Sequence, residues 1–160
     1  MRAVELFLGG RTFLLRAAEE RDVPALAALL ADDDLAAERE DPAGLDPYLI
    51  AFRAVDADPA HLLLVAETDG AVVATLQLSL LPGLSRQGAL RAQLEGVRVA
   101  SGHRGGALGS QLVRFALGEA RARGAALAQL TTDLRREDAQ RFYGRLGFAA
   151  SHAGLKRPLR

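Results

Sequence analysis

The chain has 160 residues, of which 49% are hydrophobic and 25% are charged, and its formal net charge is zero. This length and composition predict one soluble globular domain, residues 1–160, with a single core. The zero net charge argues against nucleic acid or an anionic membrane as the main partner. The chain has no cysteine, which excludes disulfides and thiolate catalysis and agrees with a cytoplasmic location.

The first predicted elements are a strand and two helices. Residues 12–18 are typical of a strand, and the charges within residues 1–15 argue against a signal peptide. A helix is expected over residues 20–33, with Asp22 as its N-cap and a proline in its first turn. A second helix is expected within residues 46–55.

The middle and the end of the chain alternate strands and helices. A hairpin is predicted over residues 61–81, with its turn at Asp69-Gly70, and its uncharged part is too short to span a bilayer. The later elements, in order, are a strand within 87–100, a helix ending near Arg123, a strand within 125–132, a helix within 137–147 and one or two strands over 148–159. This order predicts a mixed α/β domain.

The strand within 87–100 changes its pattern partway along. Apolar residues occupy even positions up to Leu94 and odd positions at Val97 and Val99. Side chains alternate between the two faces of a strand, so one extra residue near Glu95-Gly96 would restore a common face. Such a β-bulge would leave main-chain groups near Val97–Val99 for another partner, such as an amide-bearing ligand. The alternative is a fully buried strand end without a bulge.

A glycine-rich loop follows this strand and opens a helix. Its sequence is "HRGGALGSQL", residues 103–112. Free amides and the helix dipole favour an anion there, and Arg104 adds a forked cationic donor. The spacing fits neither a P-loop nor a dinucleotide-binding fingerprint, and a glycine-rich turn without a ligand stays an alternative. Three scattered histidines (His61, His103 and His152) offer no metal-ligand spacing, so no metal is expected.

Two segments together resemble the GNAT superfamily of N-acetyltransferases. "GVRVASGHRGGALGSQLV" is similar to the superfamily's acetyl-CoA motif, with Arg104, Ala107 and Gly109 at its marked positions. "DAQRFYGRLGF" is similar to its second signature, and one strand separates the two segments. The resemblance implies a mostly antiparallel sheet of six to seven strands, flanked by about four helices, with a splayed, bulged strand that forms an acyl-CoA notch.

The resemblance also implies a set of coenzyme-binding residues. Main-chain groups of Val97, Arg98 and Val99 would bind the pantetheine arm of acetyl-CoA. Amides of the loop and the first helical turn would cradle the pyrophosphate: Arg104, Gly105, Gly106, Ala107, Leu108, Gly109 and Ser110. The chain departs from the motif at Ser101, where a proline is common. It departs again at Arg136, where an asparagine often contacts the coenzyme and an arginine could reach phosphate instead.

Two side chains are the catalytic candidates. An amine must lose a proton before it attacks a thioester, and the resemblance places Glu95 where many members carry the general base. Tyr143 would lie near the coenzyme sulfur and could protonate the departing thiolate, while the Val97 amide could receive the developing oxyanion. A solvated Glu95 and a half-buried, purely structural Tyr143 are the alternatives. His103 is expected to be a loop residue.

The implied activity is transfer of an acetyl group from acetyl-CoA to a primary amine of a small molecule or peptide. The alternatives are a non-catalytic acyl-CoA-binding sensor and transfer of another acyl group. The family also implies a homodimer as one assembly, without locating an interface. An acidic run lies where the family builds its acceptor pocket, although a solvated helix end explains it better: Asp32, Asp33, Asp34, Glu38, Glu40 and Asp41.

Overall fold

A six-stranded sheet forms the centre of the computed structural model, which describes residues 1–32 and 40–159. Its strands are β1 (Val4–Leu8), β2 (Arg11–Ala17), β3 (His61–Thr68), β4 (Ala71–Leu81), β5 (Arg91–Val99) and β6 (Leu127–Leu130). The strands lie side by side in chain order. Every neighbouring pair is antiparallel except β5 and β6, which are parallel. The mostly antiparallel sheet of six strands confirms the expected fold.

The helices cover both faces of the sheet. They are α1 (Val23–Ala31), α2 (Asp46–Asp56), the single turn α3 (Ser85–Gly88), α4 (Leu108–Ala122) and α5 (Glu137–Arg145). The apolar stripe of α4 includes Leu112 and Val113, which are fully buried against even-numbered side chains of β3 and β4. On the opposite face, Val23 and Phe52 of α1 and α2 pack against Val65 of β3. The sheet therefore separates two apolar clusters, and α4 lies over the larger one.

Glycines with positive φ set several of the boundaries. Asp69 and Gly70 have φ of 51° and 76°, the left-handed pair that a tight hairpin turn requires, which confirms the predicted turn. Gly124 has φ of 85° and follows the end of α4, as expected. Strand β1 was not predicted; it pairs with β2 through a turn at Gly9-Gly10.

The structure differs from expectation in two other segments. Residues 148–159 contain no strand, although one or two were predicted there. Asp22 is the N-cap residue of α1, as predicted, but its side chain makes no capping hydrogen bond, because its carboxylate accepts hydrogen bonds from the Glu19 amide and from Arg16. A 3₁₀ turn, Glu20–Asp22, precedes the helix. The carboxylates Asp33, Asp34 and Glu38 of the acidic run lie outside the described residues.

A buried ion triad joins β2, β3 and the start of α1. Both Nη atoms of Arg16 donate to the Asp22 carboxylate, at 2.6 and 2.9 Å, and its Nε and Nη2 donate to Glu67 Oε2 at 3.0 and 2.7 Å. Asp22 is only 5% exposed. The Arg16 hydrogen bonds hold the pKa of the Asp22 carboxyl below its usual value. The triad thus fixes the start of α1 against the sheet, mainly through the nearly buried Arg16–Asp22 pair.

Within residues 1–32 and 40–159, no helix is long and apolar enough to cross a membrane. The same residues contain no cluster of three or more His, Asp or Glu side chains arranged to hold a metal ion.

Asp22→Ala is expected to lower the free energy of unfolding at pH 7 by about 3 kcal/mol, because it leaves the Arg16 guanidinium buried with only Glu67 beside it. Urea unfolding followed by circular dichroism measures this. Because the folded-state pKa of Asp22 is lowered, its contribution is present above the unfolded value of about 3.9 and fades as the pH falls through the folded value. The difference between the wild type and the variant should therefore shrink below about pH 4.

Glu20→Ala is the matched control, since it removes a bidentate carboxylate–arginine pair with Arg53 that is exposed. It should leave the urea midpoint nearly unchanged. An Asp22→Ala midpoint equal to that of the control would contradict a stabilising role for the triad.

Candidate functional site

Strand β5 carries a bulge where its pattern changes. Gln77 lies opposite Glu95, whereas Thr75 lies opposite Arg98, so two residues of β5 face the single residue Leu76. The additional residue falls at Gly96-Val97, and Gly96 has φ of 59°, a left-handed conformation that glycine adopts without strain. The register therefore confirms the predicted bulge. It brings Val97 and Val99 to the face of Leu94, where they pack against the α4 cluster.

The bulge lies at the open part of the sheet. Strand β6 pairs with β5 from Arg91 to Leu94 and ends at Leu130, while β5 continues to Val99. In the described part of the chain, the last residues of β5 therefore have β4 on one side and no strand on the other. We call this open edge, Glu95–Val99, the notch.

Side chains already cover the main-chain carbonyls at the notch. The Ala100 amide donates to Val73 on β4, so the Val99 carbonyl in the same planar peptide unit points the other way, into the notch. Arg104 Nε donates to that carbonyl at 2.8 Å. Arg98 Nη1 donates to the Val97 carbonyl at 2.9 Å. Both carbonyls are thus hydrogen-bonded within the protein, and two guanidinium groups lie along the notch.

The glycine-rich loop connects the notch to the amino end of α4. A 3₁₀ turn, Ser101–His103, precedes Gly105 in this loop. The φ of Gly105 is 77°, which lies in the left-handed region that favours glycine. Residues 104–107 are exposed, and a side chain at Gly106 would meet no atom within 4 Å, so the loop leaves open space above it. The first amides of α4 have no partner within the helix, which makes this end suited to an anion.

Three residues of the predicted loop set, Leu108, Gly109 and Ser110, have structural contacts. Leu108 is 3% exposed and belongs to the apolar cluster, so only its main chain can face a ligand. Ser110 Oγ donates to the Ala107 carbonyl at 2.7 Å. A Cβ at Gly109 would lie 3.5 Å from Val99 and 3.6 Å from Phe142, so this position joins α4, β5 and α5 closely.

Tyr143 approaches the notch from the α4 face. It lies on α5, half-buried, with its ring edge-on to Phe142 and Phe148 at centroid distances of 5.0 and 5.8 Å. Burial raises the pKa of its phenol, and the positive charges of Arg98 and Arg136 partly offset that rise. Tyr143 is therefore a neutral phenol near two cationic side chains at physiological pH.

Glu95 lies on the other face of the sheet. Its neighbour Leu94 points into the α4 cluster, so the alternation along β5 directs Glu95 away from it. The carboxylate is exposed, in the same register as Gln77. The notch thus has a phenol on one face and a carboxylate on the other.

The histidines have structural contacts. The His103 ring packs edge-on against Phe13 at 5.9 Å, in agreement with its expected place in a loop. His61 Nδ1 lies 2.8 Å from Ser79 Oγ. His152 lies in the irregular C-terminal segment, beside Ser151.

The sequence did not predict one contact at the site. Asp32, at the end of α1, accepts hydrogen bonds from Arg104 Nη2 at 2.8 Å and from the Ser101 amide at 3.2 Å. The sequence placed Asp32 near the end of the predicted helix over residues 20–33 and in the acidic run, without a contact to the loop. Asp32 and Arg104 are 72 positions apart, and no local pattern signals a pair at that separation.

Comparisons with known proteins agree with this geometry. Residues 23–148 match the model of the Acetyltransferase (GNAT) family. An aminoalkylphosphonate N-acetyltransferase of Salmonella typhimurium is 51% identical over 49 residues, which span 31% of this chain and 32% of that protein. The matched segment is thus about a third of that relative's length.

Solved structures share the fold over nearly the whole chain. A transcriptional regulator from Bacillus halodurans C-125 is 44% identical, with a TM-score of 0.88 over 91% of this chain and 98% of its own. A protein from Clostridium acetobutylicum solved with acetyl-CoA is 17% identical, with a TM-score of 0.73 over 92% of this chain and 96% of its own. This last likeness concerns the fold alone.

The two tyrosines, Tyr48 and Tyr143, are expected to ionise above the usual phenol value of about pH 10. Burial raises both pKa values, and the hydrogen bond to Glu40 raises that of Tyr48 further. The chain has no tryptophan, so phenolate absorbance in an alkaline titration reports these two groups alone.

Tyr48→Phe and Tyr143→Phe assign the two titration steps. If half of the phenolate absorbance developed below about pH 10, one of the two tyrosines would have an ordinary pKa. The tyrosine whose Phe variant lost that step would then not be buried as described.

Proposed function

Since the chain belongs to the GNAT acetyltransferase family, we propose that it moves an acetyl group from acetyl-CoA to a primary amine of a small molecule or peptide. One observation carries this proposal: the bulged β5 leaves an open edge beside the amino end of α4, with Tyr143 and Glu95 on opposite faces. Acetyl-CoA supplies an activated thioester; the protein residues supply binding, orientation and proton transfer.

The coenzyme would lie along main chain. Amides of Val97 and Val99 are suited to the pantetheine arm, and Arg98, opposite Thr75 in the ladder, contributes its guanidinium beside them. The loop amides, from Arg104 through Gly105, Gly106, Ala107, Leu108 and Gly109 to Ser110, are suited to the pyrophosphate. Arg136, at the start of α5, adds positive charge near Tyr143.

Glu95 and Tyr143 would handle the two protons. Glu95 accepts a proton from the ammonium form of the acceptor, directly or through water, and the neutral amine then forms the C–N bond at the acetyl carbon. The Val97 amide stabilises the oxyanion. As the C–S bond breaks, Tyr143 donates its proton to the thiolate; the second proton lost by the acylated nitrogen restores the phenol, and Glu95 releases its proton to solvent. The products are an N-acetyl amine and coenzyme A, without a covalent enzyme intermediate.

The raised pKa of Tyr143 limits its contribution. The raised pKa keeps the phenol protonated. It also makes proton transfer to the thiolate unfavourable, because the pKa of a thiol is only about 8.5. The positive charges of Arg98 and Arg136 reduce this disadvantage, since both stabilise a phenolate.

A non-catalytic acyl-CoA-binding sensor is the second candidate. The likeness to a transcriptional regulator at 44% identity favours it. The presence of both Glu95 and Tyr143 beside the notch favours catalysis instead. Transfer of a different acyl group on the same scaffold is a third candidate, which competition among acyl-CoAs in a thermal-shift assay separates from acetyl transfer.

Calorimetry with acetyl-CoA, followed by thiol release with a panel of amines, tests the proposal. We include aminoalkylphosphonates in the panel because a relative is named for them. Binding with amine-dependent thiol release supports the enzyme, and binding without release from any amine supports the sensor. Absence of any binding heat and of any thiol release would refute both.

Tyr143→Phe is expected to lower kcat by about 10- to 100-fold, since it removes a general acid, and to leave the acetyl-CoA Kd nearly unchanged. Steady-state kinetics and calorimetry measure the two quantities. Tyr48→Phe is the matched control, because Tyr48 lies on α2 and also has a raised pKa. Unchanged kcat in Tyr143→Phe would remove Tyr143 as the acid.

Glu95→Gln is expected to lower kcat/KM most at neutral pH and progressively less towards the pKa of the amine, about 10 for an alkylamine, because a base is then no longer needed. The pH profile of kcat/KM measures this, with the exposed β1 residue Glu5 changed to Gln as control. A deficit independent of pH would show that Glu95 only positions the acceptor.

A further inference from the structure

We infer that Asp32 is a positioning residue for the acyl-CoA site and acts through Arg104; the inference rests on the function proposed above. The Arg104 guanidinium donates three hydrogen bonds: Nε to the Val99 carbonyl at 2.8 Å, and Nη2 to the Asp32 carbonyl and carboxylate at 2.6 and 2.8 Å. Together Asp32, Arg104 and Val99 form what we call the clamp.

The clamp joins three separate parts of the fold. Asp32 is at the carboxyl end of α1, Val99 is the last residue of β5, and Arg104 is in the glycine-rich loop. Asp32 Oδ2 also accepts the Ser101 amide at 3.2 Å, so one carboxylate holds both a side chain and the main chain of the loop. The clamp therefore fixes the loop that leads from the notch to α4.

The direction of Arg104 assigns it a role different from that of a phosphate ligand. Its Nε is committed to the Val99 carbonyl, which faces the notch, and its Nη2 is committed to α1. Two of its three guanidinium nitrogens are thus held within the protein, and the group lies against the part of the notch where the pantetheine arm would lie. The pyrophosphate would depend on the main-chain amides of the loop and of α4.

The expected size of the effect is modest. Asp32 and Arg104 are 43% and 49% exposed, so solvent screens their attraction. The benefit of the clamp lies in ordering the loop before the coenzyme binds, which lowers the entropy lost on binding. Loss of the Asp32 carboxylate should lower kcat/KM for the thioester by about 3- to 10-fold.

The test compares acetyl-CoA with S-acetylpantetheine, which lacks the pyrophosphate and the nucleotide. For Asp32→Ala and Arg104→Ala, kcat/KM should fall by the same factor with both thioesters, mainly through KM. The double variant should be no worse than Arg104→Ala alone, because the two residues act as one unit. In the free protein, amides of residues 101–104 should exchange hydrogen faster in Asp32→Ala than in the wild type.

Glu20→Ala provides a matched control, because the Glu20–Arg53 pair is also exposed and bidentate but lies away from the loop. It should change neither kinetics nor loop exchange. Asp32→Asn keeps an acceptor for the Ser101 amide without the charge, and it should fall between the wild type and Asp32→Ala.

Two results would overturn the inference. If Arg104→Ala impaired acetyl-CoA alone and spared S-acetylpantetheine, Arg104 would be a phosphate ligand. If Asp32→Ala bound acetyl-CoA as well as or better than the wild type, Asp32 would not position the site. Either result leaves the proposed function standing, provided that the wild type binds acetyl-CoA; failure of the wild type to bind refutes the proposed function itself.

Discussion

One additional residue in β5 determines the geometry on which the rest of the site depends. Without it, Val97 and Val99 would point away from Leu94, and the apolar cluster beneath α4 would lose part of its wall. With it, the strand keeps a common apolar face and bends. Gly96 makes this possible, since its φ of 59° is costly for any other residue type. The packing beneath α4 and the shape of the open edge thus depend on the same local feature.

The elements around the notch are held by different kinds of interaction on the two faces. On one face, α4 and α5 are fixed by apolar contacts, which include Phe142 and Tyr143. On the other, α1 is tied at its beginning by the Arg16 triad and at its end by Arg104. The first tie is buried and the second is exposed, so the beginning of α1 is anchored more firmly than the end that meets the loop.

Local chemistry made much of the fold predictable. The Asp69-Gly70 turn, the end of α4 and the bulge each depend on a few adjacent residues, and all three were confirmed. Strand β1 was not predicted, because it is a short, mostly exposed edge strand whose sequence, VELFL, does not alternate apolar and polar residues throughout. The prediction of one or two strands over residues 148–159 was wrong: the apolar residues there do not pair with β6. The roles of Glu95 and Tyr143 stay predictions, and the Asp32–Arg104 pair has no local signal.

The order of the strands has a consequence for how the molecule is assembled. Three of the antiparallel pairings close short lengths of chain, whereas β2 and β3 are separated by residues 18–60, which include α1 and α2. Strand β6 joins β5 in parallel after α4 crosses over between them. During synthesis on the ribosome β6 emerges last of the six strands, so the open edge that begins where β6 ends at Leu130 acquires its boundary only after the other five strands have been made.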